Sequence, residues 1–151
     1  MSKIEASIDV DVPVRVAYDQ WTQFEEFPRF MDAVESVTQL DDTHLHWVAS
    51  IGGHKEEWDA EVTEQHPNER VAWKSTDGKA NAGVVTFHRI DDATTRVMVQ
   101  MEFEPEGMVE RAGAAIGAPD RRVKGDLERY KELIESRGTE TGAWRGDVTR
   151  P

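Results

Sequence analysis

Residues 107–138 read GMVERAGAAIGAPDRRVKGDLERYKELIESRG, and this stretch decides how the chain folds. Val109, Ala112, Ile116, Val123, Leu127, Tyr130 and Ile134 recur at three-, four- and seven-residue steps. At roughly 100° per residue they fall within an arc of about 60° on one helix face. The C-terminal half of this stripe is bulky, whereas Gly107 to Ala118 is mostly Gly and Ala. Laid on a sheet, such a helix seals one end and leaves space at the other. A straight helix from Glu106 to Arg137 would be about 45 Å long, against a radius of gyration of about 15 Å for a compact chain of this size. It must therefore cross the whole domain or bend. Pro119 is the place to bend. The stripe keeps its phase across Pro119, which predicts a kink rather than a stop, and Gly138 is suited to cap the end.

Upstream, the pattern is that of strands and short helices. KIEASIDV (3–10) puts Ile4, Ala6, Ile8 and Val10 on one side, as a strand does. Pro13 closes that strand and suits the first turn of a helix, where Val14, Ala17, Tyr18 and Trp21 take helical spacing. FEEFPRFM (24–31) reads as a second short helical segment, limited by Pro28. From Val34 the period becomes two. Inward sets are Leu45, Trp47, Ala49, Ile51; Trp58, Ala60, Val62; Val71, Trp73, Ser75; Val85, Phe87; and Val97, Val99, Met101, Phe103. Turn signals separate them at Asp41-Asp42, Gly52-Gly53, Pro67-Asn68, Asp77-Gly78 and Asp91-Asp92. Short connections make an antiparallel meander the economical topology, with one face buried and one wet.

The 151 residues suit one domain, 1–137, with a partly mobile tail over 138–151 that Trp144 would tack down. No cysteine is present, so thiol chemistry is excluded and a cytoplasmic setting is expected. The first ten residues lack the basic and apolar regions of a signal peptide, and no apolar run approaches the ~20 residues that span a bilayer. A net charge of −12 argues against nucleic acid or an anionic membrane as partner. Arg121, Arg122 and Lys124 form the one tight basic cluster and read as a solvated helix face; the acids at 56–61 read as the outside of a strand.

One covering helix cannot hide a flat sheet of six or seven strands, so the sheet must curl around it. Strand, two short helices, curled antiparallel sheet and long C-terminal helix make an α+β helix-grip domain. The residues that fill this order resemble a known family. VPVRVAYDQW (12–21), FEEFPRFMDAVESVTQLDD (24–42), LHWVASIGG (45–53), WDAEVTEQHPNERVAW (58–73), GVVTFHRIDDATTRVMVQMEFEPEG (83–107) and RRVKGDLERYKELIESRG (121–138) carry the likeness. They resemble the polyketide cyclase/dehydrase and lipid-transport branch of the START-like (SRPBCC) superfamily, near the coenzyme-Q-binding START-like proteins. TGAWRGD (141–147) is similar to the endings of bacterial members. The resemblance implies an internal pocket for a small hydrophobic molecule. Because the superfamily spans cyclases, lipid carriers, hormone receptors and co-chaperones, it does not by itself choose an activity.

The candidate ligand-binding residues follow from the pattern. Trp47, Trp58, Trp73, Phe87 and Met101 would form the sheet wall and Val109, Ala112, Gly113 and Ile116 the helix wall, and the family resemblance implies a mouth near Phe30. The alternative for the tryptophans is core filler, and alternation alone does not choose. Asp120 is the titratable side chain that a continuous helix would place inside the apolar arc, where a raised pKa would suit acid–base work; a first-turn acid is the plainer reading. His44 and His46 share a strand face, yet no third ligand joins them, and neither a metal nor a cofactor is expected. No nucleophile motif, phosphate loop or dinucleotide fingerprint occurs. The leading expectation is non-covalent binding of a lipid, isoprenoid or aromatic polyketide. An aromatase/cyclase or dehydratase, and a protein-interaction module, are the alternatives. Oligomeric state is left open.

Overall fold

The computed structural model describes residues 2–51, 53–76, 81–103, 119–143 and 146. Seven strands, β1 (Ser2–Val10), β2 (Val34–Gln39), β3 (His44–Ile51), β4 (His54–His66), β5 (Arg70–Ser75), β6 (Asn81–Asp91) and β7 (Thr94–Phe103), form one antiparallel sheet in the order β1-β7-β6-β5-β4-β3-β2. Helix α1 (Val14–Trp21) and a 3-10 helix (Phe24–Arg29) lie between β1 and β2, and helix α2 (Pro119–Arg137) follows the sheet. The second helical segment is thus a single tight 3-10 stretch with Pro28 inside it. The turns fall at the residues that tolerate them: Gly53 at φ 83° and Asn68 at φ 64°.

Alternation builds the inner face in rows across the sheet. Ala6, Val99, Val85, Val71 and Gln65 are successive partners in one row; Ile4, Met101, Gly83, Trp73 and Val62 make the next. A bulge between Val62 and Glu64 shifts the phase of β4 and turns Gln65 inward, where its side chain is fully buried.

The bulky half of the helix stripe lies where the periodicity put it. Leu127, Tyr130 and Ile134 are at most 2% exposed and pack into the same core as α1, the 3-10 helix and the inner rows. Phe24, Phe27 and Phe30 close that end, with Trp21 5.0 Å from Tyr130 and Phe30 5.3 Å from Tyr130, ring centre to ring centre. Each such pair contributes about 0.5–1.5 kcal/mol beyond the area it buries. Polar ties fix the helix: the Tyr130 hydroxyl donates to the Ala17 carbonyl at 2.7 Å, and the Lys131 ammonium to the Asp9 carbonyl at 2.9 Å.

The first residues after Gly138 are clasped to α1. Gln20 of α1 donates to the Thr141 hydroxyl at 3.1 Å and accepts from the Thr141 backbone N–H at 2.8 Å, while Arg15 pairs with Glu140 at 2.8 Å. Trp144 lies outside the described residues, as do the turn at Asp77-Gly78 and the small-residue half of the stripe.

Candidate functional site

The inner face divides into a filled half and a looser half. Around Tyr130 the aromatic side chains of Tyr18, Trp21, Phe24, Phe27 and Phe30 are all buried. Phe30 (1% exposed) and Phe87 (5%) belong to this filled half, where Phe87 packs on Tyr18 and Trp21. Toward the other end Trp47, Trp58, Trp73, Met101, Gly83, Ser75 and Asn81 are only half-buried. Small residues dominate there: Ser75 pairs with Ala60, and Trp73 pairs with Gly83.

Three tryptophans shape this half in two ways. Trp73 covers Gly83, since a Cβ at position 83 would stand 2.7 Å from its six-membered ring. Its indole N–H is satisfied by the Asn81 side chain at 3.3 Å. Trp47 and Trp58 are direct cross-strand partners, stacked 5.8 Å apart at an interplanar angle of 7°. Phe27 abuts Trp47 at 5.5 Å and joins the stack to the filled core. Both indole N–H groups of the stacked pair are buried, and neither has a hydrogen-bond partner among the described residues. Leaving a buried donor unpaired costs about 1–3 kcal/mol. Of the expected sheet wall, Trp47 and Trp58 meet face to face, Trp73 and Met101 share the row of Gly83, and Val109, Ala112, Gly113 and Ile116 lie outside the described residues. The same is true of the side chain of Asp120.

A polar cleft of about 410 Å³ opens between α2 and the start of β2. Asp32, Ala33 and Ser50 form one bank; Arg121, Arg122, Gly125 and Arg129 form the other. Arg129 is the clamp: its Nε donates to the Phe30 carbonyl at 2.9 Å and stands 3.3 Å from Asp32, while its Nη2 donates to Asp126 at 2.5 Å. Burial pushes the Asp126 carboxyl up to about 6, against the pull of Arg129 and of the Asp32 backbone N–H. Asp126 was not singled out by the sequence, since it falls off the apolar stripe; its burial comes from the loop that folds onto it. Arg121 and Lys124 are exposed and Arg122 half-buried, and the two arginines line the cleft.

The paired histidines lie on the outer face. His46 is held between Asp59 at 2.7 Å and Glu57 at 3.0 Å, and both hydrogen bonds raise its pKa. His44 bonds Asp41 in the adjoining turn. Among the described residues no group of three or more His, Cys, Asp or Glu is placed to hold a metal ion. No helix among them is long and apolar enough to cross a membrane.

Comparison with known proteins agrees with this architecture. The family model for polyketide cyclase / dehydrase and lipid transport matches residues 10–131. An uncharacterized 17.2 kDa protein of Streptomyces lincolnensis, from the melC2-rnhH intergenic region, is 58% identical over 149 residues, covering 98% of this chain and 99% of that one. The crystal structure of the Zhui aromatase/cyclase from Streptomyces sp. R1128 superposes with a TM-score of 0.73 at 14% identity, covering 95% of this chain and 99% of that one. A START superfamily protein from Mycobacterium smegmatis superposes at 0.69 with 14% identity, over 89% and 95% of the two chains. At such identities the superpositions speak for the helix-grip fold, whereas the family model and the Streptomyces relative speak for descent. The chain belongs to the polyketide cyclase/dehydrase and lipid transport family.

Proposed function

We propose that this protein binds a small, largely apolar molecule bearing a hydrogen-bond acceptor, held on the inner face of the sheet against Trp47, Trp58, Trp73 and Met101. One observation carries the reading: the stacked Trp47–Trp58 pair keeps two buried indole N–H groups without partners among the described residues. A carbonyl or hydroxyl oxygen on the ligand supplies what they lack, while its carbon skeleton buries apolar surface at ~25 cal/mol per Å². The tryptophans thus act as both wall and donors. Lipids, isoprenoids and aromatic polyketides all fit this description.

The catalytic alternative needs a positioned acid near that pair. The described carboxyl whose burial prepares one is Asp126, and it stands at the polar cleft, paired with Arg129. An interaction module needs a contiguous apolar surface. The exposed large apolar side chains among the described residues are Leu40 (60%) and Ile90 (46%), which the intervening strands of the sheet keep apart. Binding is the function the geometry supports best.

Calorimetric titration with two near-isosteric probes tests it. 2-Acetonaphthone carries an acceptor, and 2-ethylnaphthalene does not. The ketone is expected to bind about fivefold or more tightly, and Trp47→Phe with Trp58→Phe to erase the preference while retaining aromatic area. Equal binding of the two probes, or binding of neither, would overturn the reading.

A further inference from the structure

Asp19, Gln20, Thr22, Gln65 and Thr95 are the buried polar residues among those described, and all but Gln65 are served. Gln20 makes two hydrogen bonds with Thr141. The Thr22 hydroxyl donates to the Asp19 carbonyl at 2.6 Å, the Thr95 hydroxyl donates to the Val12 carbonyl at 2.9 Å, and the Asp19 carboxylate stands 3.6 Å from Arg15. Gln65 is 1% exposed, yet neither its amide nitrogen nor its amide oxygen has a hydrogen-bond partner among the described residues. Such an amide brings two donors and an acceptor, and burying them unmatched works against folding.

The backbone brings this amide to the inner face by a specific device. Trp58, Ala60 and Val62 face inward on β4, and simple alternation would bring Glu64 next; the bulge presents Gln65 instead. The rest of its row, Val71, Val85, Val99 and Ala6, is apolar, so packing alone calls for a hydrocarbon there. The adjoining row holds Val62 and Trp73. Val71, the direct partner of Gln65, and Trp73 lie two residues apart on one face of β5. Gln65 is therefore the diagonal neighbour of Trp73, at about 7–8 Å, and belongs to the same wall. The Trp73 indole N–H is already spent on Asn81. Trp58 lies seven residues back along β4, roughly 20 Å at ~3.3 Å per residue. The stacked pair and Gln65 thus stand toward opposite ends of that strand, and a naphthalene-sized molecule touches one or the other.

We propose that Gln65 is a second polar contact for the ligand, at the Trp73 end of the wall, and that it reads a group that both donates and accepts a hydrogen bond, such as a hydroxyl. The inference rests on the binding function proposed above and extends it. An acceptor meets the stacked indoles and a hydroxyl meets Gln65, so the ligand is an elongated apolar body with polar groups toward both ends. The two contacts read different chemistry. Indole N–H groups only donate, and they take a carbonyl as readily as a hydroxyl. A carboxamide offers donor and acceptor side by side, and it favours the hydroxyl over a carbonyl, which only accepts.

Calorimetry with 1-(2-naphthyl)ethanol, 2-acetonaphthone and 2-ethylnaphthalene separates Gln65 from the tryptophans. Wild-type protein is expected to bind the alcohol about fivefold more tightly than the ketone. Gln65→Met is expected to bind alcohol and ketone alike, to keep the preference for ketone over hydrocarbon, and to bind the hydrocarbon as wild type does. Without ligand, its melting temperature is expected to rise by about 2–4 °C, because an unmatched amide gives way to an apolar side chain of similar length. Equal binding of alcohol and ketone by wild type would overturn the role of Gln65 and leave the apolar reading standing. A preference for the alcohol that survives in Gln65→Met would overturn it as well. A variant that melts lower, or that loses the hydrocarbon too, would show a structural amide served by a trapped water, and would overturn the ligand contact. Failure of all three probes to bind wild type would overturn the binding function, and this inference with it.

Discussion

Trp73 and Gly83 face each other across the β5–β6 ladder, and the indole occupies the space a side chain at position 83 would need. A Cβ there would come within 2.7 Å of the ring and 2.8 Å of the Gln100 carbonyl oxygen, which belongs to backbone and does not yield easily. The glycine is what leaves room for a tryptophan at this point of the sheet wall. Gly83→Ala is therefore expected to destabilise by about 1–3 kcal/mol and to lift the indole off Asn81. Chemical denaturation followed by near-ultraviolet circular dichroism checks both effects. An unchanged midpoint with an unchanged tryptophan signal would show that the wall is looser than this.

Asp126 gives the protein a pH dependence with a definite sign. Its folded pKa, about 6, lies above the ordinary 3.8, so the folded chain holds that proton more tightly than the unfolded chain. The associated stability is fully present below about pH 4 and is lost as the pH rises through about 6. The loss amounts to at most roughly 3 kcal/mol. Asp126→Asn should match wild type near the acid end and exceed it in stability at about pH 7.5. Melting both proteins across that window measures it; a gap that stays constant with pH would contradict the assignment.

His46, bonded to Asp59 and Glu57, holds its proton above the ordinary histidine range. Its contribution to stability is present below the unfolded pKa of about 6.5 and fades as the pH passes the raised folded value. Asp59→Asn removes the larger of the two causes, so the His46 ring resonance should titrate at lower pH in that variant. Proton NMR of the five histidine rings reads this directly.

Gln20 is fully buried in α1, and its amide makes both hydrogen bonds to Thr141. Gln20→Ala leaves the Thr141 N–H without its acceptor, at a local cost of about 1–3 kcal/mol. Amide exchange at Thr141 is expected to accelerate, with little change at Leu127 or Ile134. Uniform acceleration would mean that the clasp supports the whole fold rather than the segment after α2.

The sheet and the bulky half of the helix were legible because each obeys a short period. Leu127, Tyr130 and Ile134 announce their face, and Val97, Val99 and Met101 announce theirs. Gln65 was not legible: the bulge after Val62 changes the phase of β4, and a glutamine gives no apolar signal of facing inward. Nor was the cleft. Asp126 lies off the apolar stripe, and its burial depends on Asp32 and Arg129 meeting across nearly a hundred residues of chain. Periodicity sees one element at a time, whereas this site exists only where α2 crosses the approach to β2. The two roles open to the tryptophans were likewise separated by geometry alone: Trp73 spends its N–H on Asn81, and the stacked pair keeps theirs.

The strand order carries a consequence for synthesis. Six of the strands run β2 to β7 in sequence and pair each with the next, but β1 pairs with β7, Ser2 facing Phe103. On the ribosome, at about 5–20 residues per second, β1 waits roughly 5–20 s for its partner to emerge. Throughout that interval Ile4, Ala6, Ile8 and Val10 have no ladder to join. The β2–β7 meander can assemble stepwise through local hairpins, so the docking of β1 is the slow, long-range event of folding. A chain stalled before Thr94 presents an apolar strand with nothing to cover it, and there the nascent protein depends most on chaperones.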